Sequence, residues 1–272
     1  MDIETVKNYY DENAQKEWER LENHPFEFIL TTAMMDRYLH AGQRVLDIGG
    51  GPGRYALYCA QKGCDVTLLD LSEGNIALAR QKAAQQGLCF SMAVANCLEL
   101  DQLDLGLFDH VFLMGPLYHL PQKEDRVQAV KLALQKLKPG GKLYCTFILD
   151  FAGIIYDMKY GPGFLPQDLG NQSTALLLDS IVAHTEYTGP AFTSVCFTNQ
   201  RQIEPFMAQF PLQKLHLFGQ EGILSLHEER LKTFPQEELD LWIETAKRLL
   251  DLPEFLAYSE HAMYIGQKCG EV

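Results

Sequence analysis

Four glycines within five residues, Gly49-Gly50-Gly51-Pro52-Gly53, follow the apolar run Val45-Leu46-Asp47-Ile48 and precede a helical pattern from Arg54 to Lys62. A strand that enters a helix through such a loop restricts the chain to few architectures. Glycine tolerates positive φ and lets backbone approach a ligand, and the first turn of the helix beyond presents unpaired N–H groups. In an open parallel sheet, ligands bind in the crevice at the carboxyl ends of the strands, where a loop of this kind sits.

The same rhythm continues along the chain. Strand patterns at Asp65 to Leu71, Cys89 to Ala95, Phe108 to Met114 and Lys142 to Leu149 alternate with helical patterns at Ser72 to Gln86 and Lys123 to Leu137. Ser72 is placed to cap its helix and Gly87 to end it, while Lys138-Pro139-Gly140-Gly141 stops the next. Such alternation implies right-handed βαβ units and a doubly wound α/β fold with a mostly parallel sheet. Before it, Lys7 to Tyr38 reads as helical, with Pro25 opening a second helix. After Asp150 the rhythm breaks: Phe151 to Asn199 mixes turns such as Gly161-Pro162-Gly163 with short apolar stretches, and a segment so long calls for packing of its own. Helices at Arg201 to Phe210 and Gln236 to Leu250, and strands at Leu212 to Phe218 and His261 to Gly266, close the chain. The division expected is a helical lid over 1–41, a ligand-binding core over 42–150, an inserted cap over 151–200 and completion of the sheet over 201–272.

Composition narrows the partners. Of 272 residues, 47% are hydrophobic and 22% charged, enough for a large core without disulfides or structural metal. The charges sum to −13 with no basic run, so nucleic acid is not expected. The longest apolar run, Leu143 to Leu149, is far short of a membrane span, and the acidic, polar start does not resemble a secretory signal; a cytoplasmic protein is the expectation. Seven cysteines, an odd count without a Cys-x-x-Cys pair, argue for reduced thiols and against zinc. His227-Glu228-Glu229 lacks the second histidine of a zinc-protease helix and reads as a solvated face, so no metal ligands are assigned.

Asp70 ends the second strand 17 residues after Gly53, where a carboxylate can accept both hydroxyls of a ribose. Gly51-Pro52-Gly53-Arg54-Tyr55-Ala56 also satisfies the dinucleotide pattern G-x-G-x-x-A. A pyrophosphate, however, wants positive surroundings, and Asp47 stands two residues before the glycines. S-adenosylmethionine, which carries an ammonium and a sulfonium and no phosphate, suits an acid at the loop and another at the ribose better.

Val45 to Gly53 resembles the first motif of the class I S-adenosylmethionine-dependent methyltransferases. Asp70 with Leu71 matches the acidic end of that family's second strand, and Asn96-Cys97 lies where an Asp and a small residue usually flank the adenine. Met114-Gly115, leading to Tyr118-His119, resembles the loop that passes the reactive methyl, and Leu137 to Gly141 the turn before strand five. The resemblance covers Gly42 to Leu149 and, more loosely, His261 to Gly266. It implies a Rossmann-like, seven-stranded sheet, S-adenosylmethionine held by Asp47, Gly49, Gly50, Gly51, Gly53, Asp70, Leu71, Asn96, Cys97, Met114 and Gly115, and methyl transfer to a small-molecule acceptor by in-line displacement.

Tyr9, Tyr10 and Trp18 in the first helix could face the sulfonium charge or could simply be core. His119, beside Tyr118, and Asp150 are candidate general bases, though a histidine in such a loop can equally shape the pocket. His184, Tyr156 and Tyr160 could line an acceptor pocket or pack the cap on itself. Two rival functions stay open: a nicotinamide-dependent oxidoreductase and a non-catalytic S-adenosylmethionine-binding protein. Monomer and homodimer are both compatible with the sequence.

Overall fold

Val45, Leu46 and Ile48 are fully buried in β1 (Arg44–Ile48), as expected for a strand covered by helices on both faces. The computed structural model describes residues 3–161, 172–191 and 193–270, so most of the Gly161-Pro162-Gly163 turn lies outside the described residues. β1 pairs in parallel with β2 (Asp65–Asp70) and β4 (Phe108–Leu113), β2 with β3 (Ser91–Val94), and β4 with β5 (Leu137–Leu149). The expected stop before strand five is a bulge: Leu137 pairs with Phe108 and Lys142 with His110, so Lys138–Gly141 loops out opposite Asp109, with Gly140 at φ +75. Helices α3 (Arg54–Gln61), α4 (Glu73–Gln85) and α5 (Lys123–Gln135) make the crossovers. Ser72 does cap α4, its Oγ accepting the Asn75 N–H at 3.0 Å.

The sheet has nine strands, not seven. The carboxyl end of β5 also pairs with β7 (Ser194–Thr198), which forms a hairpin with β6 (Tyr187–Pro190). Last come β8 (Leu212–Gly219) and β9 (His261–Lys268); β9 runs antiparallel between β5 and β8. The core strands therefore follow the order β3-β2-β1-β4-β5-β9-β8, and the hairpin is an addition. The segment read as a cap thus divides: α6 (Ala152–Tyr160) and α7 (Gln172–Ala183) pack through Ala152 and Leu177 on the end of β5 and the hairpin, while the hairpin itself extends the sheet.

Two helices precede the sheet, α1 (Ile3–Asn23) and α2 (Pro25–Met35). α1 docks on α4, where Ala14 and Trp18 pack with Leu78 and Ala83, and Lys82 lies 4.3 Å over the indole. Asp11 fixes the register by accepting from Ser72 Oγ at 2.6 Å and Gly74 N at 3.0 Å. Helices α8 (Gln200–Met207), α9 (Glu228–Leu231) and α10 (Gln236–Leu249) complete the chain. All seven cysteines are free. Among the described residues no helix is long and apolar enough to cross a membrane.

Candidate functional site

The glycine loop lies where β1 and β4 part company, and its backbone is pressed against the loop that follows β4. A Cβ on Gly115 would stand 2.6 Å from the Gly49 carbonyl oxygen, and one on Gly50 only 2.4 Å from Asp47 Oδ2. The chain thus has no room for side chains where it wraps the cavity. Gly49, Gly50 and Gly51 line that cavity with Asp47, Asp70, Leu71, Asn96, Cys97, Met114 and Gly115, so the structure brings most of the expected cofactor residues together. Gly53 is not on the wall. Its φ of +84 turns the chain into α3, where Leu68 and Ala79 leave no space for a larger residue.

The electrostatics of the cavity are unusual for a phosphate site. Asp47 is 1% exposed and its Oδ2 has no hydrogen-bond partner. Burial, reinforced by the charge of Asp70, raises its carboxyl to about 7 despite the Ala56 N–H. Asp70 is also raised by burial, in spite of hydrogen bonds from Ser72 N at 2.9 Å, Asn75 Nδ2 at 3.1 Å and Gly51 N at 2.8 Å. The nearby guanidiniums are occupied: Arg20 pairs with Glu17 at 2.7 Å, and Arg54 bonds the Leu21 carbonyl and stacks on Phe28. An uncompensated pair of carboxylates fits a cationic ligand and opposes a pyrophosphate. Asp47 and Asp70 are the residues that would hold the charged end and the ribose of an S-adenosylmethionine. Asn96 lines the cavity, but its side chain caps the following 3-10 turn by accepting from Leu98 N at 3.0 Å.

Three expected residues take other roles. Trp18 faces α4, away from the cavity, because it shares a helix stripe with Ala14, whereas Tyr10, Glu17 and Leu21 present the cavity-facing stripe. Asp150 lies on neither cavity; it is fully buried at the end of β5, where Asn199 Nδ2 donates to it at 2.6 Å. His119 does line the cavity, but its ring is a strut. Nε2 lies 2.9 Å from Tyr10 Oη and Nδ1 3.1 Å from Thr193 Oγ1, and burial lowers its pKa to about 4. A weakly basic imidazole with both nitrogens engaged joins α1 to the hairpin and is poorly equipped to take a proton.

A second cavity of about 1020 Å³ opens between α1, α6, α7 and the hairpin. Tyr9, Tyr156, Tyr160, Leu177 and Phe197 give it an aromatic and apolar lining. His184 is elsewhere, at φ +57 after α7. Glu228, expected on a solvated face, is instead 3% exposed and accepts from His24 Nδ1 at 2.8 Å and Lys159 Nζ at 3.3 Å. Lys159 also holds Glu260 at 2.9 Å.

Tyr10, Glu17, Arg20, Glu27, Tyr118 and His261 line both cavities and so mark their junction. Glu27 and His261 were not singled out in the sequence, nor was Glu221, whose Oε1 lies 2.6 Å from His261 Nδ1. Burial would lower the His261 pKa, but Glu221, aided by Glu27 and Glu260, lifts it to about 9. The donor atoms of Glu27, Glu221 and His261 all lie within 4.8 Å of one another, a set that could hold a cation, although the imidazole–carboxylate hydrogen bond already accounts for the closest pair. One signal for His261 was available. An antiparallel last strand puts its first residue at the carboxyl end of β5, and His261 is in fact opposite Ile148.

A nine-stranded sheet with this core order and a carboxylate-lined glycine loop after β1 defines the class I S-adenosylmethionine-dependent methyltransferase fold. Residues 45–141 match the family described as "Methyltransferase domain". The chain is 35% identical over 131 residues to a ubiquinone biosynthesis O-methyltransferase of Xanthomonas axonopodis pv. citri, covering 47% of this chain and 54% of that protein. It thus spans about half the length of the curated relatives it matches. Magnesium protoporphyrin IX methyltransferase from Synechocystis superposes with a TM-score of 0.59 at 14% identity, over 98% of this chain and all of that one. A SAM-dependent methyltransferase from Methanosarcina mazei gives 0.56 at 18% identity, over 88% and 98%. At those identities the likeness concerns the fold.

Proposed function

We propose that the protein transfers a methyl group from S-adenosylmethionine to a small-molecule acceptor held in the larger cavity. The observation that carries this is the junction: a cavity whose glycine loop is flanked by Asp47 and Asp70, neither paired with a cation, meets an aromatic-lined cavity at six shared residues. When bound, S-adenosylmethionine supplies a methyl on a positively charged sulfur. The chain's own contribution is mostly positional. The glycine loop and Asp70 fix the cofactor end, Tyr118 and Tyr10 crowd the junction and exclude water, and α6 and α7 wall the acceptor. Holding two reactants in line in this way is worth up to roughly 7–11 kcal/mol of barrier. Cytoplasmic action accords with seven free thiols. A monomer or homodimer would suffice, since both cavities are built from one chain.

Calorimetric titration with S-adenosylmethionine, S-adenosylhomocysteine and NADH at one salt concentration tests the reading. Saturable one-to-one binding of the two adenosyl ligands, with none of NADH, is expected. Binding of NADH alone would replace it with the oxidoreductase reading, and adenosyl binding with no methylation of any metabolite would favour the sensor.

A further inference from the structure

We propose that His261, oriented by Glu221, takes the acceptor's proton during methyl transfer, and that the acceptor is a phenol-type hydroxyl which reaches the junction un-ionised. The inference rests on the methyl-transfer reading above and adds to it the substrate class and the fate of the proton.

The geometry is specific to this histidine. The ring lines both cavities, so it faces the place where an acceptor in one would meet a methyl in the other. A single carboxylate holds it twice: Glu221 Oε1 lies 2.6 Å from Nδ1, and Oε2 accepts the His261 backbone N–H at 3.1 Å. With Nδ1–H donated to a carboxylate, the neutral ring keeps its lone pair on Nε2, and no described residue hydrogen-bonds that atom. His119 and Asp150, the alternatives, are engaged at both nitrogens and walled off behind Asn199, respectively.

The charges around the ring come from every element that packs there. Glu221 precedes the 3-10 turn Gly222–His227, Glu27 comes from α2, Glu260 is the preceding residue, Glu17 and Arg20 come from α1, and Tyr118 follows β4. Arg20 neutralises Glu17, and Lys159 neutralises Glu260, leaving the carboxylates of Glu221 and Glu27 to stabilise an imidazolium. A base of pKa about 9 is well matched to a phenol, whose hydroxyl titrates near 10. The ring-lined cavity suits an aromatic acceptor, and because the Glu27 carboxylate has no cation of its own it disfavours one that arrives as an anion.

In the step, a lone pair on the acceptor oxygen forms the new C–O bond while the C–S bond breaks and its electron pair returns to sulfur. The sulfonium becomes a thioether, and the O–H proton passes to His261 Nε2, which later releases it to solvent. Atoms and charge balance without an oxidant or a metal.

The test compares wild type, His261→Asn and Glu221→Gln on 4-methylphenol and on 4-nitrophenol at a pH where only the second is already ionised. Calorimetry with S-adenosylmethionine runs in parallel as the control for folding and for the underlying reading. His261→Asn is expected to bind S-adenosylmethionine as wild type does, lose about 10²- to 10³-fold in kcat/KM on 4-methylphenol, and stay within about threefold on the nitrophenolate. Wild-type kcat/KM on 4-methylphenol should climb with pH toward about 9, and Glu221→Gln should move that limb to lower pH, which a merely structural role would not do. Equal activity of His261→Asn and wild type on 4-methylphenol overturns the proposal and leaves methyl transfer standing. So does wild type that binds S-adenosylmethionine and methylates neither phenol. Loss of the wild-type rate to a chelator, with recovery on adding a divalent cation, overturns it in favour of a metal-bound hydroxyl. Failure of wild type to bind S-adenosylmethionine removes the underlying reading itself.

Discussion

The two walls of the site treat charge in opposite ways. On the cofactor side, Asp47 and Asp70 are buried without a cation, and both carboxyls are pushed upward by burial. On the acceptor side most carboxylates are paired: Glu17 with Arg20, Glu221 with His261, and Glu260 with a lysine, Lys159, that it shares with Glu228, while Glu27 has no cation of its own among the described residues. Leaving a buried charge unpaired costs several kcal/mol, of order, so the first wall is costly until a cationic ligand arrives. The second wall is mostly paired already, with Glu27 the exception, and disfavours a ligand that brings a negative charge. The asymmetry therefore sorts the two substrates before any specific contact is made. Each wall can be perturbed separately.

The largest effect is expected at Gly50. A methyl there would stand 2.4 Å from Asp47 Oδ2 and 2.5 Å from Leu68 Cδ1, atoms that are themselves buried. Gly50→Ala should displace the Asp47 carboxyl and weaken S-adenosylmethionine binding by about 100-fold or more, with ~1–3 kcal/mol lost from stability by overpacking. Calorimetry and thermal melting would read the two losses. Unchanged affinity would mean that the orphaned oxygen is not what holds the ligand.

Next in size is a pH dependence. With its carboxyl raised to about 7, Asp47 is largely protonated below that pH in the free protein. A cationic ligand needs it ionised, so binding must release a proton at low pH. Affinity for S-adenosylmethionine should then rise as pH increases from 5.5 to 7, at most tenfold per unit, and level off above. Asp47→Asn should be weaker and flat. A flat wild-type profile would break the contrast between the walls, because it would place the charge compensation elsewhere.

How far these features could be read from the sequence differs between the walls in the same way. The acidic heart of the cofactor wall is local: strand, glycines, helix and the next acid lie within Arg44 to Asp70, and their pattern is enough to bring Asp47, the glycines and Asp70 together. Ser72 as a helix cap and Asp47 as a buried acid were legible for the same reason. The acceptor wall is assembled from residues as distant as Glu27, Glu221 and His261, and no periodicity links them. Trp18 shows a different limit. Helical spacing marks it as apolar-facing but not which neighbour it faces, and Asp11 bonding Ser72 and Gly74 turns that stripe toward α4. The hairpin Tyr187–Thr198 joins the sheet where β5 extends past β4: Leu113 pairs with Cys145, and Ile148 and Leu149 beyond it pair with β7.

His119 stands between the walls, and its replacement sharpens the comparison with His261. Bonded to both Tyr10 and Thr193, it tethers the lid helix over the cofactor cavity. His119→Gln should raise the Kd for S-adenosylmethionine about fivefold, ~1 kcal/mol, the scale of one hydrogen bond, while kcat stays within about threefold. Stability carries a second signature, in pH. The folded pKa of about 4 lies below the unfolded value near 6.5, so the wild type loses stability as pH falls through that interval. His119→Gln should remove that part of the loss. A hundredfold fall in kcat would instead restore His119 as a base.

The smallest effect is expected at Asp150, and it discriminates between positions that sequence alone makes equivalent. Asp150 ends β5 as Asp70 ends β2, and both carboxylates are buried. Asp70 faces the cofactor cavity; Asp150 faces Asn199, at the seam where β7 joins β5, and its amide N–H bonds the Thr198 carbonyl. Burial raises the Asp150 carboxyl, partly offset by Asn199, so in Asp150→Asn an uncharged amide takes its place in the same volume. One hydrogen bond must be rearranged, on the order of 1 kcal/mol, with no change at either cavity. Methyl transfer by Asp150→Asn should therefore remain within about twofold of wild type in kcat/KM, and its pH profile should superpose. A larger fall, with the profile displaced, would show that the end of β5 communicates with the junction through His261, which pairs with Ile148 two residues away.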